Sequence, residues 1–215
     1  MAAMSPLDKL ICLGKNYLEH AKELGDAVPE KPVLFLKPPS VLRAVERNDE
    51  SIRLSIPEGR GELHHECEVV VRLRQGGQKL SVVEALNAFD AVTLGLDMTL
   101  REAQATLKKQ GHPWEIGKVF ADAAVRGPWL PASALAELAD EAFTLAINGR
   151  VRQSARIGEL RLSIAESIAY ASEYFPLCAG DLVYTGTPAG VGPVVSGDRG
   201  ELRWGRHLGY RVEWI

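Results

Sequence analysis

The stretch that decides the fold is GELHHECEVVVRL, residues 61–73, taken together with VTLGLDMT at residues 92–99. Glu66 and Glu68 stand two apart in a run that continues Val69, Val70, Val71. Strand side chains alternate between faces, so both carboxylates point one way and Cys67 points the other, into the core. A second apolar run, Val92 to Leu96, stops at Asp97. Two such strands side by side bring three carboxylates to one point. Like charges that close in a sheltered place do not all stay ionised unless a cation sits among them. An all-oxygen donor set suits a hard ion, Mg²⁺ first, with Mn²⁺ or Ca²⁺ as alternatives.

Spacing alone leaves a second reading open. Glutamates two apart also suit the solvated face of an antiparallel strand, and an aspartate at a strand end also forms turns. His64 and His65 invite a zinc reading, but HHECE is not HExxH, and the valines behind it are strand-forming rather than helical.

The 215 residues suit one domain, residues 1–215, long enough to bury a core. Apolar residues make up 46% and charged residues 25%, an ordinary globular composition. A net charge of −3 without a basic cluster gives no footprint for nucleic acid. The N-terminus MAAMSPLDKL has no charged start followed by a long apolar segment, and no run approaches the ~18 apolar residues of a membrane helix. The expectation is a soluble cytoplasmic protein with neither nucleic acid nor membrane as partner. Three scattered cysteines, Cys12, Cys67 and Cys178, suit reduced core thiols rather than disulfides.

Outward from the acidic stretch, Leu10 to Leu13 reads as a buried strand turning at Gly14, and VLFLK at 33–37 as another. Between them KNYLEHAKELGD has helical composition and stops at Gly25, with Pro29 soon after. A helix there sets His20 and Glu23 on one face, three apart. That is a surface pair, or a carboxylate orienting an imidazole that acts as general base on water. Residues 41–61 read as loops around one strand, Gln75 to Gln78 as a hairpin-type turn, and SVVEALNAFD as a short helix. Thr99 followed by Glu102 suggests a capping box for a helix that Gly111 stops. Arg101 and Gln104 fall on one side of it, near the proposed ion. Lys118 lies in a Pro-, Gly- and Trp-rich segment, where a lone lysine is ordinarily solvated. Asn148-Gly149 marks a hairpin, Ser163 to Tyr174 a helix, and 208–215 a last alternating strand. DLVYTGTPAGVGP is a strand running into a glycine-rich loop that offers amides and hydroxyls to an anion, but no GK[ST] follows it.

Four blocks in order resemble the fumarylacetoacetate hydrolase family, and within it the short acylpyruvate hydrolases and oxaloacetate decarboxylases. They are GKNYLEHAKELG with VLFLKP, HHECEVVV, LGLDMTLREAQ with GHPWEIGKVFAD, and GDLVYTGTPAGVGP. The resemblance implies an α+β fold, a mixed β-sheet roll with short peripheral helices, normally a homodimer. It implies Glu66, Glu68 and Asp97 as ligands of Mg²⁺ or Mn²⁺. His20 and Glu23 become a water-activating dyad on a mobile lid, and Lys118 the lysine beside a bound keto acid. Arg101, Gln104 and Thr187 become substrate contacts. Two departures stand out: RIGELR at 156–161 where many relatives have an Asn-Thr-Ser-Asp-Met type run, and Glu102 in place of the usual Asp.

The implied activity is metal-dependent hydrolysis of the carbon-carbon bond of 2,4-dioxo acids, of acylpyruvate or fumarylpyruvate type, to pyruvate and a carboxylic acid. Oxaloacetate decarboxylation is the near alternative, and an isomerase or hydratase of related dioic acids a third. A non-enzymatic metal-binding module on the same fold is the competing class. The presence of His20, Glu23 and Lys118 together argues against it.

Overall fold

A computed structural model describes residues 6–23 and 30–215. Among these residues the strands form three sheets. The largest has the strand order Val33–Lys37, Leu10–Gly14, Leu182–Tyr184, Cys67–Leu73, Phe89–Asp97, Ala124–Arg126, Leu42–Ala44, and Leu130–Pro131 also pairs with Phe89–Asp97. Leu10–Gly14 runs parallel to Leu182–Tyr184, and Leu42–Ala44 parallel to Ala124–Arg126; the other pairings in this sheet are antiparallel. A second sheet runs Arg150–Ala155, Phe143–Ile147, Arg199–Trp204, Leu208–Trp214, Ser51–Leu54. The third is small and joins Gly192–Val194, Leu63–His65 and Thr99–Leu100.

One apolar cluster runs through all three sheets, from Leu10 and Val70 to Leu63, Trp204 and Trp214. The helices are short and peripheral, the longest being Ile164–Tyr174 and Arg101–Gln110. This is the α+β roll of mixed sheets that the family resemblance implied. Cys67 to Leu73 is buried on both faces apart from Arg72, as a strand inside a covered sheet must be.

Most segment boundaries agree with the sequence, including the Asn148-Gly149 hairpin with both residues at positive φ and the helix expected from Ser163 to Tyr174, which spans Ile164–Tyr174. Five expectations are corrected. Thr99 does not cap a helix: it forms a two-residue strand with Leu100, and Arg101–Gln110 starts at Leu100 without a side-chain cap. The cause is the Thr99 hydroxyl, which donates 3.1 Å to the Asp97 carbonyl and accepts from Lys118. Residues 41–61 hold two strands, Leu42–Ala44 and Ser51–Leu54, because each finds a parallel partner far away in the chain. Gln75 to Gln78 bends back to bond Leu177 rather than joining two strands. Lys118, in a segment where a lone lysine is ordinarily solvated, is buried at the end of the helix Glu115–Lys118, which the strand Ala124–Arg126 follows. Cys178 is exposed, unlike Cys12 and Cys67. The helix at the lid position spans Leu18–Glu23, and its expected stop at Gly25 and Pro29 lies outside the described residues. No helix among the described residues is long and apolar enough to cross a membrane.

Gly95 shows how tightly the acidic strands are set. It pairs with Glu68, and a Cβ there would lie 2.5 Å from the Val125 carbonyl oxygen and 2.7 Å from Val70 Cγ2. Gly95→Ala is expected to destabilise the protein by about 2 kcal/mol through overpacking. Urea unfolding checks this, and a variant within about 0.5 kcal/mol of the parent would show that the strand has room.

Candidate metal centre

Glu66 occupies a one-residue break between Leu63–His65 and Cys67–Leu73, and its carbonyl accepts the Asp97 N–H at 2.9 Å. The ladder continues with Cys67 opposite Leu96 and Glu68 opposite Gly95. The two-apart glutamates and the strand-ending aspartate thus meet across one antiparallel ladder. Their side chains are buried, at 6%, 1% and 1% exposure for Glu66, Glu68 and Asp97, so the solvated-face reading fails. One carboxylate oxygen from each lies within 4.8 Å of the others. The three line a cavity of about 50 Å³ together with Phe35, Lys118 and Thr187.

The chain supplies cations of its own here. Lys118 Nζ donates to Glu66 Oε2 at 2.9 Å, Asp97 Oδ2 at 2.7 Å and Thr99 Oγ1 at 2.7 Å. Arg101 Nη2 lies 2.5 Å from Glu66 Oε1. Lys37 Nζ sits 2.5 Å from Asp97 Oδ1 as an ion pair outside hydrogen-bond alignment, which leaves that buried oxygen without an aligned donor. Three carboxylates therefore face three cationic side chains, which corrects the expectation that only a foreign cation could stabilise them. Burial pushes the Glu66 carboxyl up, but the Lys118 ammonium and Arg101 guanidinium outweigh it and hold the group well below the carboxylate range. Glu68 goes the other way. Burial and the Asp97 and Glu66 charges raise it, and its direct partner is the Gly186 N–H at 2.7 Å. Three buried carboxylates, one with its pKa raised by its neighbours and one with an unaligned oxygen, fit a hard divalent ion, which reverses the repulsion among them.

His20 is buried and its Nδ1 lies 3.4 Å from Glu23 Oε2, at the long end of a hydrogen bond. Both Glu23 oxygens accept the Gly190 N–H at 3.1 Å, which ties the helix Leu18–Glu23 to the glycine-rich loop. Burial lowers the imidazole pKa below its usual 6.5, while the Glu66 and Glu23 charges oppose the shift. The imidazole is therefore neutral at pH 7. With Glu23 accepting at Nδ1, that nitrogen carries the proton and Nε2 is the basic one.

Of the expected substrate contacts, Arg101, Gln104 and Thr187 all line the carboxylate cavity. Arg101 Nη1 donates to Gln104 Oε1 at 2.8 Å, which fixes the pair. The Thr187 hydroxyl already donates to the Cys67 carbonyl at 2.8 Å and accepts from Gln153 Nε2 at 2.7 Å. Lys37 and Gln153 were not singled out from the sequence. The signal for Lys37 was a lysine ending an apolar strand, VLFLK. Gln153 carried none, being one polar residue in an edge strand. Its Oε1 accepts the Cys67 N–H at 2.9 Å and faces His65 Nδ1 at 3.1 Å, and its Nε2 also donates to the Pro188 carbonyl at 2.9 Å. One amide thereby joins the second sheet, the acidic strand and the loop at Thr187. His64 Nε2 meets Glu62 at 3.1 Å and His65 meets Gln153, so the histidine pair takes no part in the carboxylate cluster. In the departing segment, Arg161 Nη2 donates to the Glu30 carbonyl at 3.1 Å. The Leu162 N–H donates to Asn16 Oδ1 at 2.9 Å, so the segment packs against the base of the lid helix.

Residues 9–212 match the fumarylacetoacetate (FAA) hydrolase C-terminal family. The chain is similar to an oxaloacetate tautomerase of Escherichia coli, 38% identical over 194 residues that cover 90% of this chain and 86% of the relative. It is also similar to a mitochondrial oxaloacetate tautomerase of Bos taurus, 33% identical over 214 residues covering 96% and 94%. Among solved structures, a fumarylpyruvate hydrolase from Pseudomonas aeruginosa in complex with Mn²⁺ and pyruvate superposes with a TM-score of 0.92 at 35% identity, covering 100% of this chain and 92% of that one.

Gln153→Leu would strand the buried Cys67 N–H and remove the donor to Thr187. It is expected to cost about 3 kcal/mol of stability in chemical denaturation. A loss below about 1 kcal/mol would mean that these groups find other partners.

Proposed function

Because the chain belongs to the fumarylacetoacetate hydrolase family, we propose that it is a metal-dependent hydrolase of 2,4-dioxo acids of acylpyruvate or fumarylpyruvate type, releasing pyruvate and a carboxylic acid. The observation that carries this reading is the buried trio Glu66, Glu68 and Asp97, with ligand oxygens within 4.8 Å, on strands that sit beside the His20 and Glu23 pair. Those three carboxylates would hold Mg²⁺ or Mn²⁺, which supplies Lewis-acid polarisation of the substrate's carboxylate and 2-oxo group.

The chain's own groups do the rest. Neutral His20 takes a proton from water at Nε2 while Glu23 holds the imidazole through Nδ1 and stabilises the charge that forms. The water oxygen bonds to the acyl carbonyl carbon, and the bond from that carbon to the methylene breaks. Its electron pair leaves as pyruvate enolate, which Lys118 stabilises and protonates at carbon. Arg101 and Gln104, locked together at 2.8 Å, orient the substrate's carboxylate. Thr187 contributes chiefly by shaping the wall, since its hydroxyl proton is committed to the Cys67 carbonyl.

A second reading is favoured by the relatives named oxaloacetate tautomerase. An isomerase of a dioic acid moves one proton between carbon and the enol oxygen, through the enolate of the intact dioic acid, with no attacking water. Oxaloacetate decarboxylation reaches pyruvate enolate, as hydrolysis does. The lid role of residues 15–30, a single domain, the homodimer and a cytoplasmic location belong to the same proposal. The homodimer draws support from Val83 and Tyr174, exposed at 72% and 58% on the packed helices Val82–Leu86 and Ile164–Tyr174.

A panel of acylpyruvates, fumarylpyruvate and oxaloacetate with added Mg²⁺ or Mn²⁺ separates the activities. Asp97→Ala is expected to lose all of them together with Mn²⁺ binding. His20→Ala is expected to lose acylpyruvate cleavage by roughly 10² to 10⁴ while oxaloacetate decarboxylation falls less. Equal losses of the two activities would remove the water-activating role. Acceleration of oxaloacetate enol-keto interconversion with no cleavage of any dioxo acid would decide for the isomerase.

The pH profile gives an independent check. A general base must be unprotonated, and burial holds His20 below 6.5. Cleavage is therefore expected to be level above that value and to fall as pH drops through the lowered pKa. An acid limb of kcat/KM centred at pH 7 or above would exclude His20 as the base.

A further inference from the structure

Asp97 is held by two buried ammonium groups that differ in what else they hold. Lys37 Nζ lies 2.5 Å from Asp97 Oδ1 and donates to the main-chain carbonyls of Met98 at 3.0 Å and Ala123 at 2.6 Å. Lys118 Nζ approaches from the other oxygen, and its partners Asp97 Oδ2, Glu66 Oε2 and Thr99 Oγ1 are all side-chain atoms. An ammonium carries three N–H donors: Lys118 spends all three in hydrogen bonds, and Lys37 spends two on carbonyls with Asp97 as its ion-pair partner. Lys37 is anchored to the main chain of two adjacent strand ends, since the Met98 N–H itself donates to the Ala123 carbonyl at 2.9 Å. Lys118 instead bridges Glu66 and Asp97, two of the carboxylates that would hold a divalent ion, and so competes with it for them. Its ammonium also lies 4.9 Å from the Phe35 ring centroid on the cavity wall, an aromatic face that favours a cation after the carboxylates are given up.

We propose that the two lysines have opposite relations to the ion: Lys37 is a fixed positioning residue that presents Asp97, and Lys118 is a resident counter-cation that the ion displaces from Glu66 and Asp97. The inference rests on the metal reading above and goes beyond it by assigning an order of assembly. Until the ion arrives, the Lys118 donors are consumed by the carboxylates and are unavailable to a keto acid. When all three carboxylates are ionised, Lys37, Lys118 and Arg101 cancel them. A divalent ion then leaves the site with an excess of two positive charges, which an anionic 2-oxo acid neutralises.

The test is a calorimetric Mn²⁺ titration of the parent, Lys118→Met and Lys37→Met without substrate, with thermal melting in the presence and absence of Mn²⁺. Lys118→Met is expected to bind Mn²⁺ at least about tenfold more tightly than the parent, because a competing charge at hydrogen-bond distance from two ligands is gone. Mn²⁺ should raise its melting temperature more than the parent's. Lys37→Met is expected to bind at least about tenfold more weakly, because Asp97 loses the group that fixes it. Affinities that shift in the same direction in both variants, or an unchanged or weaker Lys118→Met, would overturn the inference while leaving the metal site standing. A parent that binds no Mn²⁺ would overturn both. If Lys37→Met does not fold, Lys118→Met decides alone, since Glu66 keeps Arg101 and Asp97 keeps Lys37 in that variant.

Discussion

Three carboxylates are buried within 4.8 Å of one another, and the surrounding structure is arranged to make that tolerable. Ionised groups taken out of water cost several kcal/mol each unless they are paired and hydrogen-bonded. Here the partners arrive from well-separated places in the chain: Lys37 from an edge strand, Arg101 from the start of a helix, Lys118 from a four-residue helix, and the Gly186 amide from the glycine-rich loop. Each of those elements must dock for its charge to be in place, so the electrostatics of the cluster and the closure of the roll are one problem.

The same coupling runs outward. Gln153 belongs to the second sheet, yet its amide satisfies the Cys67 N–H on the acidic strand and the Thr187 hydroxyl beyond it. Glu23 joins the helix at the lid position to Gly190, where φ is +95° and a Cβ would meet the Arg152 carbonyl oxygen at 1.9 Å. That position therefore admits glycine alone, and the glycine-rich loop owes part of its composition to the close passage of the Gln153 strand. Asn16, fully buried at the other end of the lid helix, donates to the Thr185 and Leu162 carbonyls and binds the RIGELR segment to the same loop. The departure from the family pattern at 156–161 thus falls beside the start of the helix Leu18–Glu23, where the Arg161 N–H donates to the Asn16 carbonyl.

Relatives named for hydrolysis and for tautomerisation match this chain at similar identity. On the proposed mechanism each reaction passes through an enolate of its own, which the groups around the carboxylate cavity would stabilise. What separates the reactions is delivery of water or of a proton to the far side of the substrate. The helix Leu18–Glu23 carries His20, so in the proposed mechanism the choice of reaction rests with this helix rather than with the carboxylates.

Much of the centre was legible in the sequence, for a physical reason. Strand periodicity aligns Glu66 with Glu68, and an apolar run that ends in an acid puts Asp97 at the adjoining strand's tip; both are consequences of local backbone geometry. The Asn148-Gly149 hairpin and the helix Ile164–Tyr174 are local in the same sense, whereas the α+β class came from the family resemblance. Lys37 and Lys118 were beyond local reading, because a lysine is buried only where distant acceptors take all of its protons, and the Ala123 and Asp97 oxygens that do so lie 86 and 21 residues away. Thr99 failed as a cap for the related reason that its hydroxyl had a stronger claim from Lys118 than from a helix terminus. Sequence by itself determined which side chains share a strand face; only the tertiary structure decided which charges meet, since Coulombic pairing acts through space between segments whose separation along the chain carries no signal.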